Sequence, residues 1–231
     1  MKKVFLAIPT HRYIEPETMS CINTKIRRFS NFYTISEMKI RRGSPNIYYQ
    51  RYNLAMDFLK TDADYYLYFD SDQVVVEPDN FVEMLIKDDK DIISPIIVRR
   101  FFPHTPTCMT YYRHANKELF DDFRNQPYLS DRPIKVYYSG GGIVLIKRKV
   151  IAAVDKPFQA VFDRDRDMLS TDYSFYHKAK AIGFECWVEP RIVTGHIGHF
   201  VFTLDDYYSL LDSGQLNTGV KISKKFPPTT G

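Results

Sequence analysis

Short apolar runs alternate with amphipathic stretches along the first hundred residues of the chain. Lys3 to Ile8 and Tyr65 to Phe69 are short and nearly all apolar, which predicts buried strands. Ile47 to Leu59 carries apolar residues at helical spacing and predicts a helix. The same reasoning predicts further strands at 31–40 and 91–98, and further helices at 15–28 and 78–86. Because strands and helices alternate, the pattern favours an α/β sheet.

The second half of the chain is less regular. Residues 99–133 are rich in Pro, Tyr and Phe, and such a long irregular segment inside a compact domain is usually functional or mobile. Beyond it, the pattern predicts a strand-like segment at 135–147, helices at 147–154 and 170–182, and short strands at 184–188 and 191–193. Residues 221–231 are polar and contain two prolines. We therefore expect a single domain over residues 1–220 and a flexible C-terminal tail.

Composition and charge narrow the class of protein only slightly. Of the 231 residues, 44% are hydrophobic and 26% are charged, as is ordinary for a globular protein. The net charge of +4 is uneven, because residues 1–51 contain ten Lys or Arg against three Asp or Glu. A basic N-terminal third can meet a phosphate-bearing partner such as a nucleotide or a nucleic acid. A solvated basic surface explains the same charges equally well, so the partner stays open.

The cysteines and the hydropathy indicate the compartment. Three cysteines stand far apart in the chain, and no C-x-x-C pair occurs. This argues against a disulfide framework or a zinc knuckle and favours a reducing compartment. The apolar stretch at the N-terminus is too short for a signal peptide, and no stretch is long enough to span a membrane. We therefore expect a cytoplasmic protein with no membrane span.

A pair of carboxylates follows the most apolar predicted strand. Asp70-Ser71-Asp72 comes directly after Tyr65 to Phe69. Two carboxylates at a strand exit can share one hard divalent cation, and open α/β sheets bind ligands at the carboxyl ends of their strands. A polar turn built from Asp and Ser explains the triplet equally well when it is taken alone.

Glycines, an acidic helix start and a histidine pair are the other candidate features. Gly140-Gly141-Gly142 is either a strand bulge or a place where the backbone approaches a ligand closely. Asp172 begins a predicted helix, where a carboxylate either stabilises the helix or acts as a general base. His196 and His199 lie three residues apart. They are either metal ligands or a pair held in a tight turn.

These segments occur in the order that is typical of one family. The chain resembles the GT-A fold glycosyltransferases, which use a nucleotide-sugar donor, and it is most similar to their short stand-alone phage and bacterial members. The resemblance rests on a first strand and its loop, a D-x-D motif, a glycine-rich stretch, an acidic helix start with a Gly-Phe helix end, and a C-terminal histidine: Val4–Thr10, Tyr68–Asp72, Tyr138–Arg148, Thr171–Phe184 and His196. It implies a Rossmann-like α/β fold, with a central mixed, mostly parallel sheet flanked by helices.

The resemblance also implies a set of site residues. Asp72 and Asp70 would bind a divalent metal together with His196, with His199 in reserve. A histidine ligand favours Mn²⁺ over Mg²⁺. Asp172 would be the catalytic residue, acting on the acceptor hydroxyl. The donor would contact the first loop, the helix before the D-x-D motif, the motif and the glycine run, through Pro9, Thr10, Arg12, Arg51, Asn53, Asp70, Ser71, Gly141 and Gly142.

Two positions depart from the family pattern. The usual Glu-Asp pair at the acidic helix start is Thr171-Asp172 here, so only Asp172 carries over. The adjacent Arg-Asn of the helix before the D-x-D motif is Arg51-Tyr52-Asn53 here, which leaves open whether Arg51 or Asn53 takes the matching role.

The function implied by the resemblance is metal-dependent transfer of a hexosyl or pentosyl group from a nucleotide sugar to an acceptor hydroxyl. Some phage relatives glycosylate hydroxymethylated DNA bases, so modified DNA is one conceivable acceptor, and the host cytoplasm is the expected location if the chain is phage-encoded. The stereochemical outcome and the oligomeric state stay open. One alternative is a non-catalytic nucleic-acid-binding protein. Another is a sugar-nucleotide nucleotidyltransferase, which ranks low because the loop after the first strand, Ile8 to Tyr13, contains no glycine.

Overall fold

A computed structural model describes residues 1–43, 46–98, 100, 107, 131–162 and 168–198. The described strands of the main sheet are β1 Lys2–Thr10, β2 Tyr33–Arg42, β3 Tyr65–Phe69, β5 Ile92–Pro95, β6 Ile134–Val136, β7 Ile143–Lys147 and β8 Cys186–Glu189. Strands β4 Gln73–Glu77 and β9 Val193–His196 form a separate two-stranded antiparallel ribbon.

The seven strands of the main sheet lie in the order β2-β1-β3-β7-β5-β8-β6. Strand β1 pairs in parallel with β2 and β3, and β5 pairs in parallel with β8. Strand β7 runs antiparallel to β3 and β5 on either side of it, and β6 runs antiparallel to β8 at the edge. Five strands therefore share one direction and two oppose it, which confirms the predicted mixed, mostly parallel sheet.

Five α-helices lie within the described residues, with bounds α1 Pro16–Cys21, α2 Ile47–Leu59, α3 Phe81–Lys87, α4 Arg148–Ala153 and α5 Thr171–Ala181. A π-helical turn at Ile22–Ile26 continues α1. Helix α2 is capped by Asn46, whose side-chain oxygen accepts the backbone N–H of Tyr49 over 3.1 Å. None of the described helices is both long and apolar enough to cross a membrane.

Both faces of the main sheet are covered, and this explains why its central strands are almost continuously apolar. Along β3, Tyr66 and Tyr68 face a core that also contains residues of α2, α4 and α5. The alternate residues Leu67 and Phe69 face a second core, which contains residues of α1, the π-helical turn and α3. Strand β1 alternates in the same way, so β1 and β3 are both buried on both faces of the sheet.

The structure corrects two of the predicted elements and adds one. Residues 135–147 form two strands, β6 and β7, with the glycine run between them, because β7 pairs with β3 and β5 whereas β6 pairs with β8. Strand β4, directly after the D-x-D motif, is the added element, and it pairs outside the main sheet. The last predicted strand begins later than expected and extends to His196. Most of segment 99–133 and the tail at 221–231 lie outside the described residues.

Candidate active site

Several of the sequence-predicted residues lie at the edge of the main sheet that is formed by the carboxyl ends of β1 and β3. Strands β1 and β3 are parallel neighbours, so Thr10 at the end of β1 and Asp70 directly after β3 lie at the same edge. The backbone N–H of Asp70 donates to the carbonyl of Gly142 over 2.7 Å, which brings the start of β7 to that edge as well. Open α/β sheets bind ligands at the carboxyl ends of their parallel strands. The D-x-D motif and the end of the glycine run therefore lie at the edge where open α/β sheets bind ligands.

The buried side chain of Arg51 connects two carboxylates at this edge, those of Asp70 and Asp172. Arg51 lies on α2, and its Nε donates to the hydroxyl of Tyr68, which donates to Oδ1 of Asp70. The Nη2 atom lies 3.3 Å from Oδ2 of Asp70. The Nη1 atom donates to the hydroxyl of Thr171 and forms an ion pair with Asp172. One guanidinium, with donors in a fixed planar fork, thus joins the end of β3 to the first turn of α5.

The buried surroundings of this cluster shift its protonation equilibria. Burial raises the pKa of Asp70, and the Arg51 guanidinium opposes that shift. Burial also raises the pKa of Tyr68 well above its usual value, which keeps the hydroxyl protonated as a donor to Asp70. Burial lowers the pKa of Arg51, but Tyr68 and Asp70 more than compensate, so the guanidinium stays charged. The cluster is therefore a fixed charge network built around one cation.

Asp172 lies at the start of α5 and faces the glycine run. Its Oδ2 accepts the backbone N–H of Gly141 over 3.0 Å, while Oδ1 accepts the hydroxyl of Thr171 over 2.7 Å. A Cβ atom on residue 141 would lie 2.6–2.8 Å from the carboxylate carbon and oxygens, closer than non-bonded atoms approach. Gly141 is required here because the backbone itself contacts the carboxylate. A carboxylate oxygen accepts more than one hydrogen bond, so Oδ2 keeps capacity for a substrate hydroxyl.

Asp72 and His196 form the second half of the site. Residue His196 is the last of β9, and β9 pairs with β4, which begins directly after Asp72. The His196 Nε2 atom lies 3.3 Å from Oδ2 of Asp72, and Nδ1 lies 2.9 Å from the carbonyl of Val98. Burial lowers the pKa of His196, but the hydrogen bonds to Asp72 and to the Val98 carbonyl outweigh it and raise the pKa.

Asp72 and His196 offer two atoms that could bind a divalent cation. In the neutral tautomer that donates from Nδ1 to the Val98 carbonyl, the lone pair of Nε2 is available to a cation shared with Asp72, in place of the hydrogen bond from Nε2 to the carboxylate. Arg100 also lies near, with Nη1 3.1 Å from Oδ2 of Asp72. Within the described residues, no group of three His, Cys, Asp or Glu side chains is arranged to hold a metal. Two protein ligands suffice where phosphate oxygens and water complete the coordination.

The remaining predicted residues differ in how they relate to this edge. Thr10 is buried, and its hydroxyl donates to the carbonyl of Tyr13, so it shapes the first loop. Ser71 contributes its carbonyl to the backbone N–H of Glu15. Arg12 is exposed after β1. Pro9 lies within β1, paired with β2. His199 lies outside the described residues.

Arg51 and Asn53 differ in their contacts, and the helix period explains why. Residues two positions apart in an α-helix are separated by about 200° around the helix axis. The side chains at positions 51 and 53 therefore point to nearly opposite sides of α2. Asn53 donates to the carbonyl of Tyr49 one turn earlier on α2 and takes no part in the cluster. Arg51 is the residue that reaches Asp70, and it does so from a buried position in which its guanidinium contacts protein groups.

Three site residues were missed by the sequence reasoning. Thr171 was set aside as a departure from the family pattern, yet its hydroxyl bridges Arg51 and Asp172. Tyr68 has no predicted role beyond the buried strand and the D-x-D segment, although its hydroxyl joins Arg51 to Asp70. Gln73 has no predicted role at all, and it is completely buried. The signal in the sequence for Gln73 is a polar residue directly after the D-x-D motif.

Two solved structures show a similar fold. A197 from STIV superposes with a TM-score of 0.56 at 19% sequence identity, covering 86% of each chain. GalNAc-T7, crystallised with UDP, GalNAc and Mn²⁺, superposes with a TM-score of 0.53 at 14% identity, covering 87% of this chain and 44% of that chain. No protein-family model matches the sequence, and no curated protein does.

These similarities define the class of fold. The chain has a GT-A-like α/β fold, in which a mixed, mostly parallel sheet is flanked by helices, and one of its structural neighbours is a glycosyltransferase. At identities this low, the likeness carries the fold alone. The chain also spans less than half the length of the GalNAc-T7 chain.

Proposed function

We propose that the protein is a metal-dependent glycosyltransferase that moves a sugar from a nucleotide-sugar donor to an acceptor hydroxyl. The observation that carries the proposal is the pairing of Asp72 with His196 at the exit of β3, beside the cluster of Arg51, Asp70 and Asp172. A non-catalytic nucleic-acid-binding protein has no need for these groups at the ligand-binding edge of the sheet.

The cofactor in this proposal is Mn²⁺ or Mg²⁺, held by Asp72 and His196. The imidazole ligand favours Mn²⁺. A bound divalent cation would neutralise the negative charge that grows on the diphosphate as the glycosyl bond breaks. Asp70 contributes less directly, because its carboxylate is held by Arg51 and Tyr68. The proposal is consistent with the structural neighbour GalNAc-T7, which was crystallised with UDP, GalNAc and Mn²⁺.

Asp172 is the residue that we assign to the acceptor hydroxyl. Its Oδ1 is occupied by Arg51 and Thr171, so the carboxylate is fixed in orientation. Its Oδ2 lies at the backbone of Gly141, where it can accept a hydrogen bond from an incoming hydroxyl. A positioned carboxylate of this kind contributes about 10²–10⁴ in rate as a general base. The acceptor belongs to the broad class of hydroxyl-bearing molecules, with a hydroxymethylated DNA base as one member.

Nucleotide sugars with Mn²⁺ provide the first test of the proposal. A thermal-shift screen of the wild-type protein should identify at least one nucleotide sugar that stabilises the fold only when Mn²⁺ is present. Asp72→Ala should abolish that dependence on Mn²⁺, whereas Asp79→Ala, at an exposed carboxylate that forms an ion pair with Lys25, should preserve it. A wild-type protein that binds no nucleotide sugar, or an Asp72→Ala variant that keeps its response to Mn²⁺, would contradict the proposal.

Asp172 is tested separately, by comparing binding with turnover. Asp172→Asn keeps the size of the side chain and an oxygen that can accept the N–H of Gly141. The variant should bind the donor and Mn²⁺ as wild type does, yet transfer sugar at least about a hundredfold more slowly. Calorimetry measures the binding and a donor-consumption assay measures the rate. Unchanged turnover would limit Asp172 to a structural role at the start of α5.

A further inference from the structure

Gln73 is a buried amide that has no hydrogen-bond partner among the described residues. It begins β4 directly after Asp72, and its side chain has no exposed surface. Neither Oε1 nor Nε2 has a hydrogen-bond partner, as judged over the part of the chain that the structure describes. Buried polar side chains are nearly always paired, because an unpaired buried amide loses its bonds to water without replacement. An amide left in this state calls for an explanation in a ligand or an ordered solvent molecule.

The position of Gln73 links the two halves of the candidate site. Its backbone N–H donates to the carbonyl of Asp70 over 3.3 Å, and in the β4–β9 ribbon it pairs with His196. Its carboxamide lies against the glycine run, since a Cβ atom on Gly142 would be 2.8 Å from Cδ and 3.1 Å from Nε2. The amide therefore lies between the Asp72–His196 pair and the backbone of the glycine run.

At positions 141 and 142 a Cβ atom would come too close to a polar side chain, and the side chain is a different one at each position. Gly141 makes room for the carboxylate of Asp172, and Gly142 makes room for the carboxamide of Gln73. Two adjacent residues of one run thus contact two polar side chains from different elements. Only the first of these side chains has its hydrogen bonds satisfied within the described structure.

We propose that the Gln73 carboxamide binds hydroxyl groups of the donor sugar, next to the metal pair. This inference rests on the proposed glycosyltransferase function and adds to it the residue that distinguishes a nucleotide sugar from the bare nucleotide. A carboxamide offers one acceptor and two donors, and each sugar hydroxyl can donate and accept. Phosphate oxygens only accept, so a diphosphate would leave Oε1 unpaired. Because the amide has no exposed surface, the groups that cover it must move when the sugar binds.

A ratio of two affinities tests this role of Gln73. The probes are the nucleotide sugar that gives the largest shift with the wild-type protein and the matching nucleoside diphosphate, each with Mn²⁺. Gln73→Met keeps the length of the side chain and removes both polar atoms. The variant should bind the nucleoside diphosphate as wild type does and should bind the nucleotide sugar about tenfold or more weakly. Its melting temperature should rise, because an unpaired buried amide has been removed.

Two companion variants make the test decisive. Gly142→Ala forces the carboxamide aside and should lower the ratio of the affinity for the nucleotide sugar to the affinity for the nucleoside diphosphate. This variant tests the contact even if Gln73→Met fails to fold. Gln159→Met changes an exposed glutamine and should leave both the ratio and the melting temperature unchanged.

An unchanged ratio in Gln73→Met and Gly142→Ala would overturn the sugar contact while leaving the glycosyltransferase proposal intact. A lower melting temperature for folded Gln73→Met would show that the amide is satisfied internally, by a buried water for example, and would overturn the contact as well. A wild-type protein that binds no nucleotide sugar would overturn both proposals.

Discussion

At the scale of the residue, one cation organises much of the candidate site. Arg51 is buried and contacts two carboxylates, Asp70 and Asp172, that come from different elements and lie far apart in sequence. Both carboxylates are largely buried, so each depends on the guanidinium to balance its charge. The arrangement fixes the acceptor-side carboxylate relative to the D-x-D motif without placing Arg51 itself in contact with the donor.

The importance of Arg51 can be measured as stability. Arg51→Met keeps most of the volume of the side chain and removes the charge, which leaves Asp70 and Asp172 as neighbouring, uncompensated carboxylates. We expect the free energy of unfolding to fall by about 2–4 kcal/mol, below the full cost of breaking a buried pair because both carboxylates keep some contact with solvent. Urea unfolding followed by circular dichroism measures the change.

Arg27→Met is the matched control for this prediction. Within the described residues, the side chain of Arg27 donates to Asn23, one turn away on an exposed face, so its replacement should change the free energy of unfolding by less than about 0.5 kcal/mol. If Arg51→Met lowered the free energy of unfolding by no more than this control does, the charge network around Arg51 would not stabilise the fold.

At the scale of the element, the glycine run and the first turn of α5 fit each other closely. The backbone of Gly141 donates to Asp172, and a Cβ atom at 141 would overlap the carboxylate. Helix α5 is thereby held against the start of β7. The β4–β9 ribbon acts in the same way on the other side, since the pairing of Gln73 with His196 brings the imidazole to Asp72. Each half of the site thus depends on a contact between two elements.

A double-mutant cycle tests the contact between the run and α5. Gly141→Ala should destabilise the protein and slow sugar transfer by about tenfold or more, because the carboxylate must shift to make room. In an Asp172→Ala background the overlapping atoms are gone, so the same glycine substitution should cost less free energy of unfolding. Equal costs in the two backgrounds would mean that the overlap is relieved elsewhere, and the coupling between the elements would be absent.

At the scale of the whole molecule, a second group of charges affects how stability depends on pH. Asp88 after α3 and Glu189 at the end of β8 both contact Arg191, at 3.2 Å and 2.5 Å. Burial and the neighbouring Glu189 carboxylate raise the pKa of Asp88 to about 6. A carboxyl group whose pKa is raised by folding stabilises the fold while it is protonated, and this contribution is lost as the pH rises through about 6.

Asp88→Asn removes this titration and retains a neutral side chain of the same shape. Relative to wild type, the variant should gain stability on the order of 1 kcal/mol between about pH 4.5 and about pH 7.5, because only the wild-type group becomes charged over that range. Thermal unfolding of both proteins across this range measures the difference. A difference that is constant with pH would show that Asp88 is already ionised at the lower pH.

The sequence alone determined the framework of this protein and part of its site. The continuous apolar runs of β1 and β3 are readable because a strand buried on both faces needs no polar positions. The D-x-D motif could be located because it directly follows such a strand. Helix α5 could be predicted, with Asp172 in its first turn, because local spacing encodes helices. These features depend on residues that are close together in the chain.

Tertiary structure decided the rest, because it depends on residues that are distant in sequence. The glycine run lies between two strands because β6 and β7 pair with different partners, which no local pattern specifies. The choice of Arg51 over Asn53 required knowing which side of α2 faces the sheet edge. The isolation of the Gln73 amide became visible only once the fold had buried it beside Gly142, since an unpaired polar group is a property of its surroundings and not of its residue type.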